Sequence, residues 1–239
     1  MIHSVPETGS TNADLLARID ALEPMPEGDW LVTDRQTAGR GRMGREWQDG
    51  AGNFMGSTTV HLREGDAEAA SLALVAGLAA HDAVSGFGAD AMLKWPNDLL
   101  MAGAKVAGIL LERSGSRLIV GVGVNLVSAP KIPGRPTTSL AAQGIEVGRD
   151  AFADALAESF LGALDAWRSE GLPCIIERWL AAAHPQGTPL TVSPAGEPRL
   201  TGTFAGLDST GALRLALASG EMRVIQAGDV MLAASAGQE

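Results

Sequence analysis

The sequence predicts an α+β protein: a mixed, largely antiparallel sheet with helices, followed by a small all-β unit. Three observations carry this. Helical periodicity is confined to a few segments, short β-like runs separated by turn residues fill the middle of the chain, and everything after His184-Pro185-Gln186-Gly187 is β-like. The chain has 239 residues and is 46% hydrophobic, which excludes wholesale disorder and leaves room for one mid-sized domain with a small appendage. The expected division is residues 1–186 and 187–239.

In order, residues 1–6 read as a strand and Glu7-Thr8-Gly9 as a turn. Ser10 or Thr11 caps a helix that carries Leu15, Leu16, Ile19 and Leu22 at helical spacing. Asp29 to Thr33 is a strand that enters a glycine- and arginine-rich segment, Asp34 to Asn53, too long for an ordinary connection. Ser57 to Leu62 reads as strand, and Asp66 to Val84 as a helix apolar around most of its circumference, hence buried. Met92–Trp95, Asp98–Met101, Lys105–Glu112 and Arg117–Leu126 form a meander of antiparallel strands, and Pro130 to Pro136 is a loop. Arg149 to Trp167 is an amphipathic helix with Phe152, Leu156, Phe160 and Leu164 four residues apart, and Leu172 to Ala183 is a shorter one. The final β unit comprises Leu190–Val192, Leu200–Leu207, Leu213–Leu217 and Met222–Met231, with the size of a small barrel.

Composition narrows the function. Lys+Arg number 18 against 28 Asp+Glu, for a net charge of −10, which disfavours a sequence-independent grip on nucleic acid or on an anionic membrane. Cys174 is the only cysteine, so neither an intrachain disulfide nor a cysteine metal cluster can form. No apolar run is expected to span a membrane, and Met1-Ile2-His3-Ser4 lacks a basic-then-apolar signal. A soluble protein of a reducing, cytoplasmic compartment is the expectation. Glycine supplies 30 residues without any repeat, so it must serve turns and close backbone approaches. Lysine occurs only at 94, 105 and 131.

Gln36 to Arg45 contains a literal G-x-G-x-x-G, but the following Glu46-Trp47-Gln48-Asp49-Gly50 breaks rather than opens a helix, so a dinucleotide fingerprint is rejected. Arg40, Arg42 and Arg45 are cations on a flexible backbone that repel unless an anion sits among them, and guanidinium forks with free backbone N–H groups suit phosphate or carboxylate. Such a loop, residues 36–52, can order over its ligand. Lys94-Trp95-Pro96-Asn97-Asp98 places a lysine and a carboxylate around a rigid turn, able to clamp phosphates, the carboxylate through Mg²⁺. Strict alternation puts Lys105 on one face with Ala107, Ile109 and Leu111, and Gly108 on the other with Val106, Leu110 and Glu112. In the next strand Gly121 and Gly123 make room beside Asn125, either for a ligand or for a bend.

Taken together these residues resemble the biotin protein ligases. Ser10-Thr11-Asn12, Gln36 to Trp47, Lys94 to Leu100, Lys105 to Leu110 and Gly121 to Leu126 match that family's motifs in order and spacing, with GRGRMGR and KWPND the most specific pair. The resemblance implies a catalytic domain like that of the class II aminoacyl-tRNA synthetases with a C-terminal SH3-like β-barrel. It implies the ligase-only type, since Ser10 leaves no room for an N-terminal DNA-binding domain. It implies activation of biotin by ATP to biotinyl-5′-AMP and transfer to a lysine of a carboxylase's biotin carrier domain. Biotin contacts then fall on Ser10, Thr11, Asn12, Gln36, Arg40, Gly41, Arg42, Lys105 and Gly108, and nucleotide contacts on Arg45, Trp47, Asn97, Asp98 and Asn125. The catalytic set is Arg40, Arg42, Lys94, Asp98 and Lys105, with Asp98 the candidate Mg²⁺ ligand. No tightly bound prosthetic group, nucleic acid or membrane is expected, and the assembly is a monomer or homodimer. His3, His61, His81 and His184 match none of these motifs. A lipoate or octanoate ligase of the related fold and a non-catalytic biotin sensor are the alternatives; the arginine-rich loop favours biotin, and intact Lys94, Asp98 and Lys105 favour turnover.

Overall fold

Short apolar strands alternating with turns build the main sheet in this computed structural model, which describes residues 1–24, 26–48, 50–194 and 196–232. Its strands are Ile2–Val5 (β1), Trp30–Thr33 (β2), Phe54–His61 (β3), Ala91–Lys94 (β4), Asp98–Met101 (β5), Ala104–Ser114 (β6) and Arg117–Val124 (β7), in the order β1-β2-β3-β7-β6-β5-β4. Only β1 and β2 run parallel; every other neighbouring pair is antiparallel, as the hairpin spacing predicts. The strand expected from Ser57 begins at Phe54, because Phe54 and Met55 are buried and pair with Val124 and Gly123.

Three helices cover one face: Leu72–Gly86 (α2), Arg149–Ser169 (α3) and Leu172–Ala182 (α4). On the other face lies Thr11–Asp20 (α1), whose Leu15 and Ile19 pack with Leu31 and Ile119. Ser10 is its N-cap, with Oγ accepting from the Ala13 N–H at 3.5 Å. The helix expected from Asp66 starts at Leu72 instead. Asp66 accepts from the Arg63 N–H and Glu68 from Ser71, which turns the preceding residues into a 3-10 turn, Ala69–Ser71. Contrary to the sequence expectation, Ala69–Gly86 is long and apolar enough to cross a membrane by length and composition; 61% of it is buried inside the protein. It is the central core helix, against which α3, α4 and the sheet pack.

A second, antiparallel sheet uses Pro189–Pro194 (β8), Leu200–Leu207 (β9), Leu213–Leu217 (β10), Met222–Ile225 (β11) and Gly228–Leu232 (β12), ordered β11-β10-β9-β8-β12. The single run expected over 222–231 is split, because β11 pairs with β10 at one edge while β12 returns to β8 at the other. Residues 233–239 of the expected C-terminal unit lie outside the described residues. One apolar cluster runs through both sheets, from Leu93 and Leu99 to Leu190, Phe204 and Val230. Polar ties reinforce it: the Trp95 indole N–H donates to the Gly211 carbonyl at 3.1 Å and Lys94 Nζ to the Val230 carbonyl at 2.8 Å.

One irregularity corrects the sequence reading. In the β5–β6 pair Leu99 faces Ala107 but Leu100 faces Lys105, so Val106 is an extra residue, a β-bulge. Beyond the bulge the alternation is offset, and Lys105 lies on the face of Gly108 rather than with Ala107 and Ile109. A Cβ at Gly108 would stand 3.0 Å from Lys105 Nζ.

Candidate functional site

The α1 side of the main sheet carries a cavity of about 460 Å³, closed by the segment 36–48, the loop 130–137 and β12. All fifteen sequence-predicted site residues line it. Ser10, Thr11 and Asn12 come from the start of α1, and Gln36, Arg40, Gly41, Arg42, Arg45 and Trp47 from the segment after β2. Lys94, Asn97 and Asp98 come from the β4–β5 turn, Lys105 and Gly108 from β6, and Asn125 from the end of β7.

One end is a chain of polar groups. The Thr11 N–H and hydroxyl both donate to Gln36 Oε1, at 2.8 and 3.1 Å. Thr11 Oγ1 lies 2.6 Å from Ser57 Oγ, which donates to Asn12 Oδ1 at 2.6 Å. Asn12 Nδ2 donates to Glu112 Oε2 at 2.7 Å, and Glu112 lies 3.7 Å from Arg40. Asn12 occupies the space that Gly121 leaves, since a Cβ there would be 2.3 Å from its Oδ1. Gly123 leaves space for Trp47 in the same way, with a Cβ 2.4 Å from the indole. The two glycines therefore admit protein side chains from α1 and the lid, where the sequence left ligand and bend open.

The segment after β2 folds as a small lid. Gly41 N–H donates to the Arg45 carbonyl at 2.7 Å and Trp47 N–H to the Gly39 carbonyl at 3.0 Å, around a 3-10 turn at Arg42–Gly44. The arginine repulsion expected from the sequence is met by the protein's own groups. Arg40 is near Glu112, Arg42 donates to Asn97 Oδ1 at 3.1 Å, and Arg45 donates to both Asp229 oxygens at 3.2 and 3.4 Å. Burial draws the Arg42 pKa below its ordinary value, with Asp98 opposing, Arg45 adding to the effect and Asp229 opposing again. Asp49, within the expected loop 36–52, lies outside the described residues.

Asp98 is the electrostatic centre of the floor. Its Oδ1 takes Lys105 Nζ at 2.5 Å and its Oδ2 takes Lys94 Nζ at 2.8 Å. Burial alone would push the carboxyl pKa up; the Lys105 and Lys94 ammonium groups override it and hold it below the usual carboxylate range. A carboxylate with an ammonium on each oxygen does not fit a resident Mg²⁺, and no cluster of three acidic, histidine or cysteine groups suited to a metal exists among the described residues. A Mg²⁺ at Asp98, the expectation from the sequence, would have to displace Lys94 or Lys105 from one of its oxygens. Asn97 Nδ2 donates to the Ile109 carbonyl at 2.7 Å and Asn125 Nδ2 to that of Thr138 at 3.0 Å, which fixes both amides. Trp47 lies against Gly108 and Gly123, its ring centroid 5.8 Å from Lys105 Nζ.

Ser57, Glu112, Arg135 and Asp229 belong to this site and were missed. Glu112 was within reach of the sequence, sharing a strand row with Gly108 and Leu110; Ser57, Arg135 and Asp229 carry no local signal and arrive through tertiary packing. Six cationic side chains (Arg40, Arg42, Arg45, Lys94, Lys105 and Arg135) face three carboxylates (Glu46, Asp98 and Asp229) in the lining, within a chain of net charge −10. Such an excess of cations is suited electrostatically to an anionic ligand.

Comparison with known proteins gives the same direction. Residues 5–126 match the model of the biotin/lipoate A/B protein ligase family, and residues 194–232 that of the biotin protein ligase C-terminal domain. The chain is 40% identical to a biotin–[acetyl-CoA-carboxylase] ligase of Paracoccus denitrificans, over 93% of this chain and 97% of that protein. It is 35% identical to the ligase of the same name from Mycobacterium tuberculosis, over 95% of this chain and 87% of that one. Its structure is similar to that of the Aquifex aeolicus biotin protein ligase in complex with biotin and ATP, with a TM-score of 0.84, 26% identity, and coverage of 97% and 99%.

Proposed function

This chain belongs to the biotin/lipoate A/B protein ligase family, and from that premise we infer how its cavity works. It is an ATP-dependent biotin protein ligase, activating biotin as biotinyl-5′-AMP and transferring it to a specific lysine of the biotin carrier domains of carboxylases. The observation that carries the reading is the cavity itself: a hydrogen-bonding end at Thr11, Asn12 and Gln36 continuous with a cationic wall at Arg40, Arg42, Arg45 and Lys105.

We propose that Ser10, Thr11, Asn12 and Gln36 hold the biotin ring system, with the Gly108 strand as its floor. An unpaired polar atom there costs about 1–3 kcal/mol, so donors and acceptors must match. In the first step a biotin carboxylate oxygen attacks the α-phosphorus of ATP, the bond to the bridging oxygen breaks, and pyrophosphate leaves. Two anions approach each other in that step. Lys105, held towards the cavity by Asp98, together with Arg40 and Arg42 beside the Gly41 turn, offsets their repulsion. Lys94 fixes the other Asp98 oxygen and the Val230 carbonyl, so it positions Asp98 against β12. Arg45, Trp47, Asn97, Asp98 and Asn125 form the nucleotide wall. In the second step a neutral lysine amine of the carrier domain attacks the acyl carbon, AMP leaves, and the amine's proton goes to water. Mg²⁺ belongs to this proposal as the counter-ion that enters on the ATP phosphates. A cytoplasmic location and a division into units 1–186 and 187–239 go with the reading; support for the latter is that the second sheet draws only on residues from Pro189 onward.

The test is incubation of a purified carrier domain with the protein, biotin, ATP and Mg²⁺, read by streptavidin blot and mass spectrometry. Incorporation at one carrier lysine is expected. Lipoate-dependent but not biotin-dependent pyrophosphate exchange would move the reading to a lipoate ligase, and biotin binding without exchange would make the protein a sensor.

A further inference from the structure

Asp229, on β12 of the second sheet, joins three segments that are remote in sequence. Its Oδ2 accepts from Arg45 Nη1 at 3.2 Å and from Arg135 Nη2 at 2.8 Å, and its Oδ1 accepts from Arg45 Nη2 at 3.4 Å. Arg45 comes from the lid, Arg135 from the loop after β7, and all three side chains line the same cavity. One carboxylate between two guanidinium groups leaves the cluster with a net charge of +1. Without it Arg45 and Arg135 would repel each other at the cavity wall. Among the described residues the Arg135 side chain uses one of its five N–H donors on Asp229 and makes no other hydrogen bond, so its remaining donors are available to an anion. The adjacent residue, Val230, receives the Lys94 ammonium, so the strand that carries Asp229 is fixed against the catalytic floor.

We propose that Arg135 is a further nucleotide-binding residue, and that Asp229 is the positioning residue that presents Arg45 and Arg135 to the β- and γ-phosphates of ATP and to the departing pyrophosphate. This rests on the ligase reading and deepens it. Lys105 and Asp98 lie on the sheet floor, where the new acyl–phosphate bond forms. The Asp229 cluster lies at the β12 edge of the same cavity, where the rest of a triphosphate extends. The second sheet therefore contributes to the first half-reaction through a side chain.

The test separates the half-reactions in Asp229→Asn, which keeps the shape of the side chain, and in Arg135→Gln, at a half-exposed position. Both variants are expected to raise KM for ATP about tenfold, the effect of losing one charge-assisted hydrogen bond. Both should weaken product inhibition by pyrophosphate by a similar factor, with KM for biotin unchanged. Transfer from chemically prepared biotinyl-AMP, which needs no pyrophosphate site, should stay within about twofold of the parent, and Asp229→Glu should recover part of the ATP affinity. Equal losses in the ATP-driven and preformed-adenylate assays would make the cluster structural and overturn the proposal. So would an unchanged KM for ATP, and a lowered one would show that Asp229 competes with the nucleotide. Biotin-dependent pyrophosphate exchange by the parent protein is the control; its absence would remove the ligase reading itself.

Discussion

A methyl group at position 123 would stand 2.4 Å from the Trp47 indole, and one at position 121 would stand 2.3 Å from Asn12 Oδ1. The two substitutions therefore strike different ends of the cavity. Gly123→Ala should displace the indole and raise KM for ATP on the order of tenfold, as overpacking costs about 1–3 kcal/mol. Gly121→Ala should displace Asn12 and act on KM for biotin instead; if both variants moved the same constant, the division of the cavity would be wrong. Lys105→Gln tests the floor. Its ammonium lies on Asp98, 5.8 Å from the Trp47 ring centroid, and in the proposed mechanism its charge counts most while negative charge builds at the α-phosphate. Adenylation should fall by roughly 10²–10³-fold, the usual loss for one such donor, with a smaller effect on transfer from preformed biotinyl-AMP. Equal losses in the two assays would refute this assignment.

Elements show what the sequence could and could not reveal. Ser10, the arginine lid and the KWPND turn were legible because each encodes its own local chemistry: a cap, a cationic glycine loop, a rigid corner. Lys105 was placed on the wrong face because the bulge at Val106 is set by pairing with β5, which period-2 alternation does not contain. Arg135 and Asp229 stand 94 residues apart and meet only when the second sheet docks, so nothing in either neighbourhood announces them. The lid also carries a kinetic expectation. Among the described residues its backbone hydrogen bonds run from the amides of Thr37, Ala38, Gly41, Arg45 and Trp47, and its arginines rest on partners that an anionic ligand can replace. Hydrogen exchange over residues 36–48 should be fast in the free protein and slowed at least about tenfold by biotinyl-AMP. Equal protection in both states would rule out closure of the lid over the adenylate.

At the scale of the molecule, one core shared by two sheets makes their junction a stability determinant. His184 lies in that junction with its ring on Phe204 at 4.4 Å, buried, and among the described residues neither ring nitrogen has a hydrogen-bond partner of full geometry. Burial holds its pKa below 6.5; the Pro185 backbone opposes this, and the Lys94 charge adds to the lowering. The unfolded chain therefore takes up the proton more readily than the folded one. Stability is fully present above about pH 6.5 and falls as the pH drops towards the folded-state pKa. Thermal melts between pH 7.5 and 5.5 should show a Tm decline that His184→Phe makes shallower. An identical decline in the variant would assign the acid sensitivity to another group.

The scarcity of lysine has a chemical consequence. A mixed anhydride acylates any neutral amine it meets, including those of the protein that made it. Here Lys94 and Lys105 are both ion-paired with Asp98 as ammonium groups, the α-amino group of Met1 lies on Asp29, and of the three lysines only Lys131 is exposed. The remaining cations around the cavity are guanidinium groups, which keep their protons and offer no nucleophilic lone pair. The lining can thus attract a polyanion while offering no free amine to the activated acyl group it encloses, and Lys131, exposed on the loop 130–137 that closes the cavity, is the lysine left open to acylation.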